Sequence, residues 1–273
     1  MPKLSAEENV AAIYSTLARA WGRQHWWPAK SRFEVIVGAY LTQNTSWHNV
    51  EIAMRELRTA RVLSIEGIRT ISLSRLERLI RSSGYFRQKA RKLKTFVKFV
   101  DEKYGGSLNR MFAQPTAALR EQLLSLNGVG PETADSILLY AGQHPVFVVD
   151  AYTRRLAVRH GILNDKASYE DVRSLFERAL IQTEHIQFSA IDARDYRVRL
   201  GTEIHARRGD AIGSAAHPPS RMSLAKRTPL AQIFNEMHGL IVSAGKQYCL
   251  KSQAQCEQCP LSSLLASSKQ SDV

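Results

Sequence analysis

Residues 123–150, LLSLNGVGPETADSILLYAGQHPVFVVD, constrain the fold more than any other part of this chain. A short apolar stretch leads to Gly128-Val129-Gly130, where glycine permits backbone conformations that a side chain forbids. Pro131 follows, and the fixed φ angle of proline favours the first turn of a helix. The segment therefore predicts two helices joined by a tight turn, whose backbone N–H groups form a cradle for a phosphate.

An aspartate stands at the end of the same segment. Asp150 directly follows the apolar run Val146-Phe147-Val148-Val149, at the edge of an apolar layer, where carboxyl groups with perturbed pKa values and catalytic acids occur. A Gly-x-Gly turn alone is common in ordinary loops, but the turn, the Pro/Gly stretch and the acid in this order are far more specific. A cradle of this kind holds a nucleic-acid backbone without reading its sequence.

The charge balance bounds the class of partner. The chain has 38 Lys and Arg against 25 Asp and Glu, a net charge of +13 with a pI near 9.9, which indicates a polyanionic partner, although a charged face also serves solubility. The three cysteines all lie between 249 and 259, which excludes a disulfide framework. No apolar run approaches the roughly 20 residues that span a bilayer, and the N-terminus lacks the pattern of a signal peptide. We expect a cytoplasmic protein that works where its polyanionic partner is.

Apolar residues recur at helical spacing, and no segment alternates as a strand does, so the predicted fold is all-α. Ser5 and Glu8 form a capping box in front of the first helix, which carries apolar residues on one face (Val10, Ile13, Leu17 and Trp21). Residues 31–60 read as two helices joined at 41–45, with Thr45 or Ser46 as the cap of the second. These helices are expected to bury Phe33, Ile36, Val37 and Tyr40, and then Val50, Ile52, Met54 and Leu57.

Helices are also predicted in the rest of the chain. They fall within 64–104, where Ser74 and Glu77 form another capping box, and at 116–125, Tyr152–His160, Ser168–Ile181, Ile186–His205 and 230–246. Residues 205–229 read as a basic loop rich in Gly, Pro and Ser. Arg154 and Arg155, just after Asp150, either contact DNA or cap a helix.

The pattern L-N-G-V-G-P-E-T-A followed by V-F-V-V-D resembles the helix-hairpin-helix (HhH-GPD) glycosylase superfamily of base-excision repair, and residues 8 to 260 resemble its endonuclease III branch. The resemblance implies a two-lobed helical fold with the helix-hairpin-helix motif between the lobes. It implies a terminal lobe of 1–30 and 151–273 with a cysteine loop. The other lobe, 31–150, has six helices and ends in the hairpin, 123–142, and the catalytic Asp150.

Roles for individual residues follow from the same resemblance. A glycosylase flips one nucleotide out of a bent duplex and breaks its glycosidic bond, and Asp150 is the anion that stabilises the oxocarbenium-like sugar. Gln43 matches the residue that fills the gap left in the base stack. The residues expected to contact DNA are Gln43, Asn44, Lys89, Gly128, Val129, Gly130 and Thr133.

Aromatic residues are expected to line the lesion pocket, because flat rings stack on bases. Trp26 and Trp27 form an aromatic wall or, alternatively, a hydrophobic staple for the next helix. Trp47 lines the pocket or, alternatively, packs between helices. Glu132 and Lys246 complete the predicted pocket, and the family residue that matches Lys246 is a buried lysine.

Glu132 departs from the bifunctional members, which carry a lysine at this position and cut the strand through a Schiff base. A carboxylate cannot form an imine, so water must be the nucleophile. The sequence therefore predicts a monofunctional glycosylase without β-lyase activity.

The substrate class rests on a finer resemblance. The sets Trp26-Trp27-Pro28, Leu41-Thr42-Gln43-Asn44-Thr45 and His238-Gly239-x-Ile241-Val242 resemble the 3-methyladenine DNA glycosylase III type, which excises positively charged adenine. A cationic base is a good leaving group and stacks on electron-rich rings. Two alternatives remain: a mismatch, uracil or oxidised-base glycosylase of the same fold, and a non-catalytic helix-hairpin-helix DNA-binding protein. We expect a monomer whose partner is duplex DNA with a damaged base, and no membrane partner.

Cys249-x6-Cys256-x2-Cys259 matches the endonuclease III loop that binds a [4Fe-4S] cluster through four thiolates, but Leu265 replaces the last cysteine. Three interpretations stay open. A cluster persists on three cysteines with a hydroxyl, water or Asp272 as the remaining ligand; the loop holds another metal weakly; or the cluster is lost. No cofactor is required for the predicted catalysis.

Overall fold

The computed structural model describes residues 4–183 and 218–265. Within these residues the chain is helical and contains no strand, only an isolated bridge between Cys249 and Ala254, so the predicted all-α class is confirmed. The α-helices are α1 (Ala6–Trp21), α2 (Arg32–Leu41), α3 (Trp47–Thr59), α4 (Ile65–Thr70), α5 (Leu73–Leu79), α6 (Phe86–Tyr104), α7 (Leu108–Phe112), α8 (Thr116–Leu124), α9 (Pro131–Ser136), α10 (Ala151–Arg159), α11 (Tyr169–Ile181) and α12 (Pro229–Gln247).

The chain divides into two compact units. The terminal unit consists of the described residues within Met1–Trp26, Phe147–Pro218 and Arg227–Val273, and the central unit consists of Trp27–Val146 and Pro219–Lys226. The boundaries near 30 and 150 lie four residues before the expected ones, so Asp150 belongs to the terminal unit, and residues 219–226, expected in the terminal lobe, belong to the central unit. The central unit holds eight α-helices rather than six, and three of them, α4, α5 and α7, have only five to seven residues.

In the central unit, α2 is the innermost helix. Its residues from Phe33 to Leu41 are all buried, and it packs against α6 and against the π-helical stretch Ile137–Gly142 that continues α9. The predicted helix pair at 31–60 is present, and Ser46 rather than Thr45 caps α3 by accepting a hydrogen bond from Asn49 N. Ile52 is half-buried, because the buried face of α3 passes through Ala53 instead.

In the terminal unit, α1 packs against α11 and α12, and α10 packs against α12. The predicted capping box of Ser5 and Glu8 is present, and the four apolar residues predicted on α1 are all buried. Arg155 caps a helix, one of the two roles predicted for it: its guanidinium donates to the carbonyls of Gly245 (3.2 Å), in the last turn of α12, and Cys249 (2.6 Å), just beyond it.

One capping prediction is wrong. Ser72, not Ser74, starts α5, since the Ser72 hydroxyl accepts a hydrogen bond from Arg75 N. The preceding Ile71 ends α4 in an extended conformation, which leaves Ser72 at the N-cap.

Two predicted segments fall partly or wholly outside the described residues. The helix predicted at Ile186–His205 lies outside them, as does the basic loop up to residue 217. In the remaining part of that loop, Ser220 joins the central unit: its hydroxyl donates to Trp27 O (3.2 Å) and accepts from Ala29 N (3.2 Å). Across residues 4–183 and 218–265, every helix is too short or too polar to cross a membrane.

Candidate active site

The glycine turn of the hairpin connects α8 and α9 in the central unit. Gly128 has φ +81°, a backbone conformation that favours glycine, and a Cβ atom there would also displace the end of the Lys92 side chain. Gly130 is different: it is extended and caps α9, and a Cβ atom would meet nothing within 4 Å. The backbone at Gly130 is therefore open to the close approach of another molecule.

Side chains lock the two helices of the hairpin together. Arg120 of α8 binds the buried carboxylate of Asp135 on α9 through two hydrogen bonds of 2.7 and 3.1 Å. Val129, in the turn, is 6% exposed and packs into the unit. Because the turn is anchored on both sides, its N–H groups keep a fixed direction.

Gln43 ties the loop between α2 and α3 to this turn. Its amide nitrogen donates to Gly128 O (3.1 Å) and Thr133 Oγ1 (2.9 Å), and its amide oxygen accepts from Lys92 Nζ (2.8 Å). The structure thus brings together three residues that the sequence predicts to contact DNA. Lys92 was missed, because nothing in the run of cations from 87 to 94 distinguishes it from its neighbours. Asn44, next to Gln43, is exposed with φ +53°.

Lys89 occupies a different position from the one expected of a phosphate contact. It is 2% exposed, and its ammonium group donates to the carbonyls of Leu41 (2.8 Å) and Ser83 (2.6 Å). Burial and the nearby charge of Lys92 lower the pKa of Lys89 to about 8. Its hydrogen bonds join the end of α2 to the turn before α6, which argues for a structural role instead of DNA contact.

The two adjacent tryptophans belong to different units and have different surroundings. Trp27 is 7% exposed and packs in the central unit, with its ring centroid 5.2 Å from those of both Trp47 and Tyr140. Gly38 makes room for it, since a Cβ atom there would lie 3.2 Å from the Trp27 ring. Trp47 is half-buried, and its Nε1 donates to Glu51 (3.0 Å). These contacts favour a core role for Trp27 and leave Trp47 partly accessible.

Asp150 is the N-cap residue of α10 in the terminal unit. Its Oδ1 accepts hydrogen bonds from Thr153 N (2.8 Å) and Thr153 Oγ1 (3.0 Å), and a negative charge at this end is stabilised by the helix dipole. Its Oδ2 lies 3.5 Å from His238 Nε2, and the carboxylate side chain is 15% exposed. Burial raises the pKa of Asp150, but the charge of His238 and the hydrogen bonds outweigh it, so the pKa lies below its usual range.

The extended segment before Asp150 is fixed by side chains of α11. Phe147 N donates to Glu177 Oε1 (2.9 Å), and Val149 N donates to Tyr169 Oη (3.3 Å). Two side chains thus accept the backbone hydrogen bonds that a neighbouring strand would accept in a sheet, and they hold the backbone that leads to Asp150.

Trp26 and Lys246 lie together in the terminal unit. Trp26 is half-buried, and the Nζ atom of Lys246 lies 5.8 Å from its ring centroid. The resemblance implies a buried lysine, but Lys246 is exposed. It stands in the last turn of α12. Glu132, in the central unit, is also exposed, in the first turn of α9.

The three cysteines are free thiols that line one small pocket of about 20 Å³, together with Leu265. Burial, and the charges of Cys249 and Cys256, raise the pKa of Cys259, while Arg159 Nη1 lies 3.2 Å from Cys249 Sγ. Leu265 stands where the fourth cysteine of the cluster loop would be, and its side chain is aliphatic. Within the described residues, no three His, Cys, Asp or Glu side chains are grouped closely enough to hold a metal ion. The side chains present do not fit a four-cysteine cluster, and the alternative ligand Asp272 lies outside the described residues.

Comparisons with known proteins agree with this architecture. Residues 37–181 match the family model described as HhH-GPD superfamily base excision DNA repair protein. A protein of Methanocaldococcus jannaschii named "Putative DNA repair glycosylase MJ1434" is 37% identical over 93% of this chain and 94% of its own length.

Two solved structures extend the comparison to the fold. The 3-methyladenine DNA glycosylase of H. pylori (MagIII), bound to 1,N6-ethenoadenine, is 25% identical with a TM-score of 0.63, covering 89% of this chain and 98% of the other. A trapped covalent intermediate of endonuclease III with DNA is 20% identical with a TM-score of 0.65, covering 96% of both chains, and it shows similarity of fold alone.

Proposed function

The chain belongs to the HhH-GPD superfamily of base excision DNA repair proteins, and from this premise we propose that it is a monofunctional DNA glycosylase whose catalytic residue is Asp150. The observation that carries the proposal is the state of this residue. Asp150 is a carboxylate with a lowered pKa, held at the start of α10 by Thr153 and facing His238, and it comes after the hairpin in the sequence, directly behind the apolar run 146–149.

The hairpin provides the binding step of the proposal. Gly130 leaves its backbone open, and the N–H groups at the start of α9 offer a phosphate the positive end of a helix. Gln43, bound to Gly128 and Thr133, stands beside this cradle with Asn44 exposed next to it. This arrangement supports a site in which the hairpin contacts the DNA backbone and Gln43, next to it, meets the base stack.

The chemistry of the proposal belongs to Asp150. As the glycosidic bond stretches, positive charge develops on the sugar, and a fixed carboxylate stabilises that charge without reorganising. Such an anion contributes several kcal/mol, which corresponds to a rate factor of about a thousand or more. The carboxylate also orients the attacking water.

The absence of lyase chemistry follows from Glu132. Its carboxylate is exposed in the first turn of α9, at the position where bifunctional members have a lysine. Without an amine, no Schiff base forms, and the product is an intact strand with an abasic site.

The substrate we propose is an alkylated purine such as 3-methyladenine. The support is the residue pattern shared with the methyladenine type and the similarity to MagIII, whose structure contains 1,N6-ethenoadenine. Each unit has one partly accessible tryptophan that offers a stacking surface, Trp26 in the terminal unit and Trp47 in the central unit.

A second candidate substrate, a neutral base such as uracil, is favoured by one observation. The ammonium group of Lys246 lies 5.8 Å from the Trp26 ring, so this ring already faces a cation. A positively charged base on the same ring would be repelled, whereas a neutral base would not.

The partner we propose is duplex DNA with a damaged base, bound by a monomer in the cytoplasm without any membrane partner. The positive charge of the chain supports a polyanionic partner. The proposed hydrolysis needs no cofactor. An absorbance scan near 400 nm of anaerobically purified protein tests whether the three cysteines hold an iron–sulfur cluster, a group that supplies no step here.

The proposal is tested with duplexes that carry one lesion each: 1,N6-ethenoadenine, uracil opposite guanine, or 8-oxoguanine. DNA treated with a methylating agent is the source of 3-methyladenine, and released bases are identified by chromatography. We expect release of an alkylated purine and strand cleavage only after alkali. Release of uracil alone would favour the second candidate, and binding without any release would favour the non-catalytic alternative.

A borohydride trap tests the reaction type, with an endonuclease III as the positive control. We expect no covalent adduct between this protein and the duplex. An adduct, or strand cleavage without alkali, would contradict the interpretation of Glu132.

A further inference from the structure

His238 is a buried residue of α12 that faces the oxygen of Asp150 left uncovered by the helix cap. It is 4% exposed, and its Nε2 lies 3.5 Å from Asp150 Oδ2. The imidazole ring also lies near Trp26 and Phe147, with centroid distances of 6.3 and 6.4 Å. Two oxygens of one carboxylate are thus held by two different elements, Oδ1 by α10 and Oδ2 by α12.

The backbone around His238 leaves it little freedom. A Cβ atom on the next residue, Gly239, would lie 2.9 Å from Gln24 Cβ and 3.1 Å from Trp26 Cβ, so the segment before Trp27 packs directly on α12. Gln24 is fixed in turn, because its N–H donates to Glu236 Oε2 (2.8 Å) and its Oε1 accepts from Ser243 Oγ (2.7 Å). These bonds place the imidazole opposite the carboxylate and keep it there.

We infer that His238 is a positioning residue for Asp150. The charge of His238 keeps the Asp150 carboxylate anionic, and its Nε2 atom holds Oδ2 of that carboxylate in a fixed direction. This inference rests on the proposed glycosylase function. It gives Asp150 a partner that is 88 positions away in the sequence (238 minus 150) and that the hairpin motif does not contain.

Among the described residues, His238 is the positive charge that lowers the pKa of Asp150, and the other ionisable groups near the pair have different partners. Burial and the charge of Asp150 raise the pKa of Tyr152 on α10, so its phenol stays neutral. On α11, Glu177 is bound to Arg173 (2.8 Å), and on α12 Glu236 binds Gln24. Arg155 lies 5.0 Å from the ring of Tyr152 and donates to carbonyls at the end of α12.

The physical need for such a partner comes from burial. Removing a carboxylate from water favours its neutral form, and a neutral acid cannot stabilise a positively charged sugar. A positive charge on His238, whose Nε2 lies 3.5 Å from Oδ2, opposes this preference and lowers the pKa of Asp150. A misdirected oxygen would also be costly, because a misplacement of about 1 Å costs on the order of a hundredfold in rate.

The first experiment compares the pH dependence of single-turnover excision in the parent, in His238→Gln and in His238→Asn. We expect the acid limb of the profile to move to higher pH by about one unit or more, because burial of Asp150 is no longer opposed. At neutral pH we expect a tenfold to hundredfold lower rate with an unchanged duplex affinity. His144→Gln, the same change at a histidine of the central unit, should leave the acid limb in place.

A second experiment does not depend on activity. The carboxyl carbon of Asp150, assigned by its loss in Asp150→Asn, is followed by 13C NMR through a pH titration of the parent. We expect a carboxyl pKa below the usual range and a second inflection when the imidazole loses its proton. In His238→Gln the second inflection should vanish and the carboxyl pKa should rise.

The outcomes separate the inference from the proposed function. An acid limb and a carboxyl titration that are identical in the parent and in His238→Gln would overturn the inference. If the parent excises no base at all, the proposed function fails, while the titration still decides whether His238 sets the charge of Asp150. If the His238 variants do not fold, the second inflection in the parent alone supports the inference, and its absence contradicts it.

Discussion

The glycine hairpin and the Asp150 site follow one another in the sequence, but different kinds of interaction hold them in place. The turn at Gly128 is set mainly by local geometry: a positive φ angle, a proline at the start of α9 and an ion pair between adjacent helices. Asp150 is set largely by two distant segments, because α11 fixes the backbone before it and α12 supplies His238.

The two sites should respond differently to amino-acid substitutions. A phosphate cradle made of main-chain atoms tolerates many side chains around it, so long as the glycines stay. An acid whose charge depends on burial and on an imidazole responds to changes far away in the sequence. Binding should therefore be lost through few substitutions near the turn, and catalysis through substitutions in several segments.

The largest effect is expected from Asp150→Asn, which removes the charge and keeps the shape. We expect single-turnover excision to fall by about a thousandfold or more, since several kcal/mol of transition-state stabilisation are lost. Duplex affinity, measured by fluorescence anisotropy, should change by less than about threefold, a difference below 1 kcal/mol.

Asp171→Asn is the matched control for the loss of a capping carboxylate, because Asp171 belongs to the capping box of α11 in the same unit. Its excision rate should equal that of the parent. Equal rates for Asp150→Asn and the parent would show that another residue is the catalyst.

The next largest effect is expected from Gly128→Ala. An alanine at φ +81° is strained, and its methyl group would displace Lys92 from Gln43. We expect the free energy of unfolding to fall by about 2 kcal/mol and duplex affinity to fall about tenfold. Urea unfolding and anisotropy measure the two quantities separately.

Gly130→Ala sharpens this result, because its methyl group meets no atom within 4 Å. The unfolding free energy should stay within about 0.5 kcal/mol of the parent value, while affinity falls if a phosphate lies against this backbone. Unchanged affinity in both alanine variants would mean that the turn does not contact DNA.

A smaller effect, confined to stability, is expected from Lys89→Met. Two buried carbonyls, those of Leu41 and Ser83, lose their donor, which costs about 2 kcal/mol of unfolding free energy. The salt dependence of duplex affinity should not change. In Lys92→Met, by contrast, the slope of log affinity against log salt should decrease by about 1 if Lys92 meets a phosphate.

The pH dependence of stability gives Lys89 a further signature. Its pKa is about 8 in the folded protein and 10.5 without the fold, so the unfolded chain binds more protons between these values. Stability should therefore rise with pH through this window in the parent, and this contribution should be missing in Lys89→Met. If the unfolding free energies of the parent and of Lys89→Met differed by the same amount from pH 7 to about 11, the lowered pKa of the buried Lys89 ammonium group would be contradicted.

The smallest effect is expected from Lys246→Met, which removes a cation from the Trp26 ring. Excision of a positively charged base should increase relative to a neutral base by about two- to fivefold, since such cation–ring interactions are worth about 0.5–1 kcal/mol at exposed sites. Competition between methylated DNA and a uracil duplex measures the ratio. An unchanged ratio would mean that Trp26 does not meet the base.

The sequence alone determined the elements whose causes are local. Helix class, the capping box of Ser5 and Glu8, the hairpin and the acid after it are all encoded within stretches of fewer than about 30 residues, where spacing and backbone preference decide. The cap predicted at Ser74 is an exception, because Ser72 and Ser74 have similar spacing to the helix that follows. The end of α4 at Ile71 makes Ser72 the N-cap residue, and the local pattern does not contain this information.

Only the tertiary structure decided what each polar side chain faces. Lys89 and Lys92 are three residues apart in the same cationic run, yet one is buried beneath two carbonyls and the other binds Gln43. Likewise, nothing in the sequence pairs His238 with Asp150 or separates Trp26 from Trp27. The physical reason is that burial and electrostatic pairing depend on which segments meet in space, and local spacing does not carry that information.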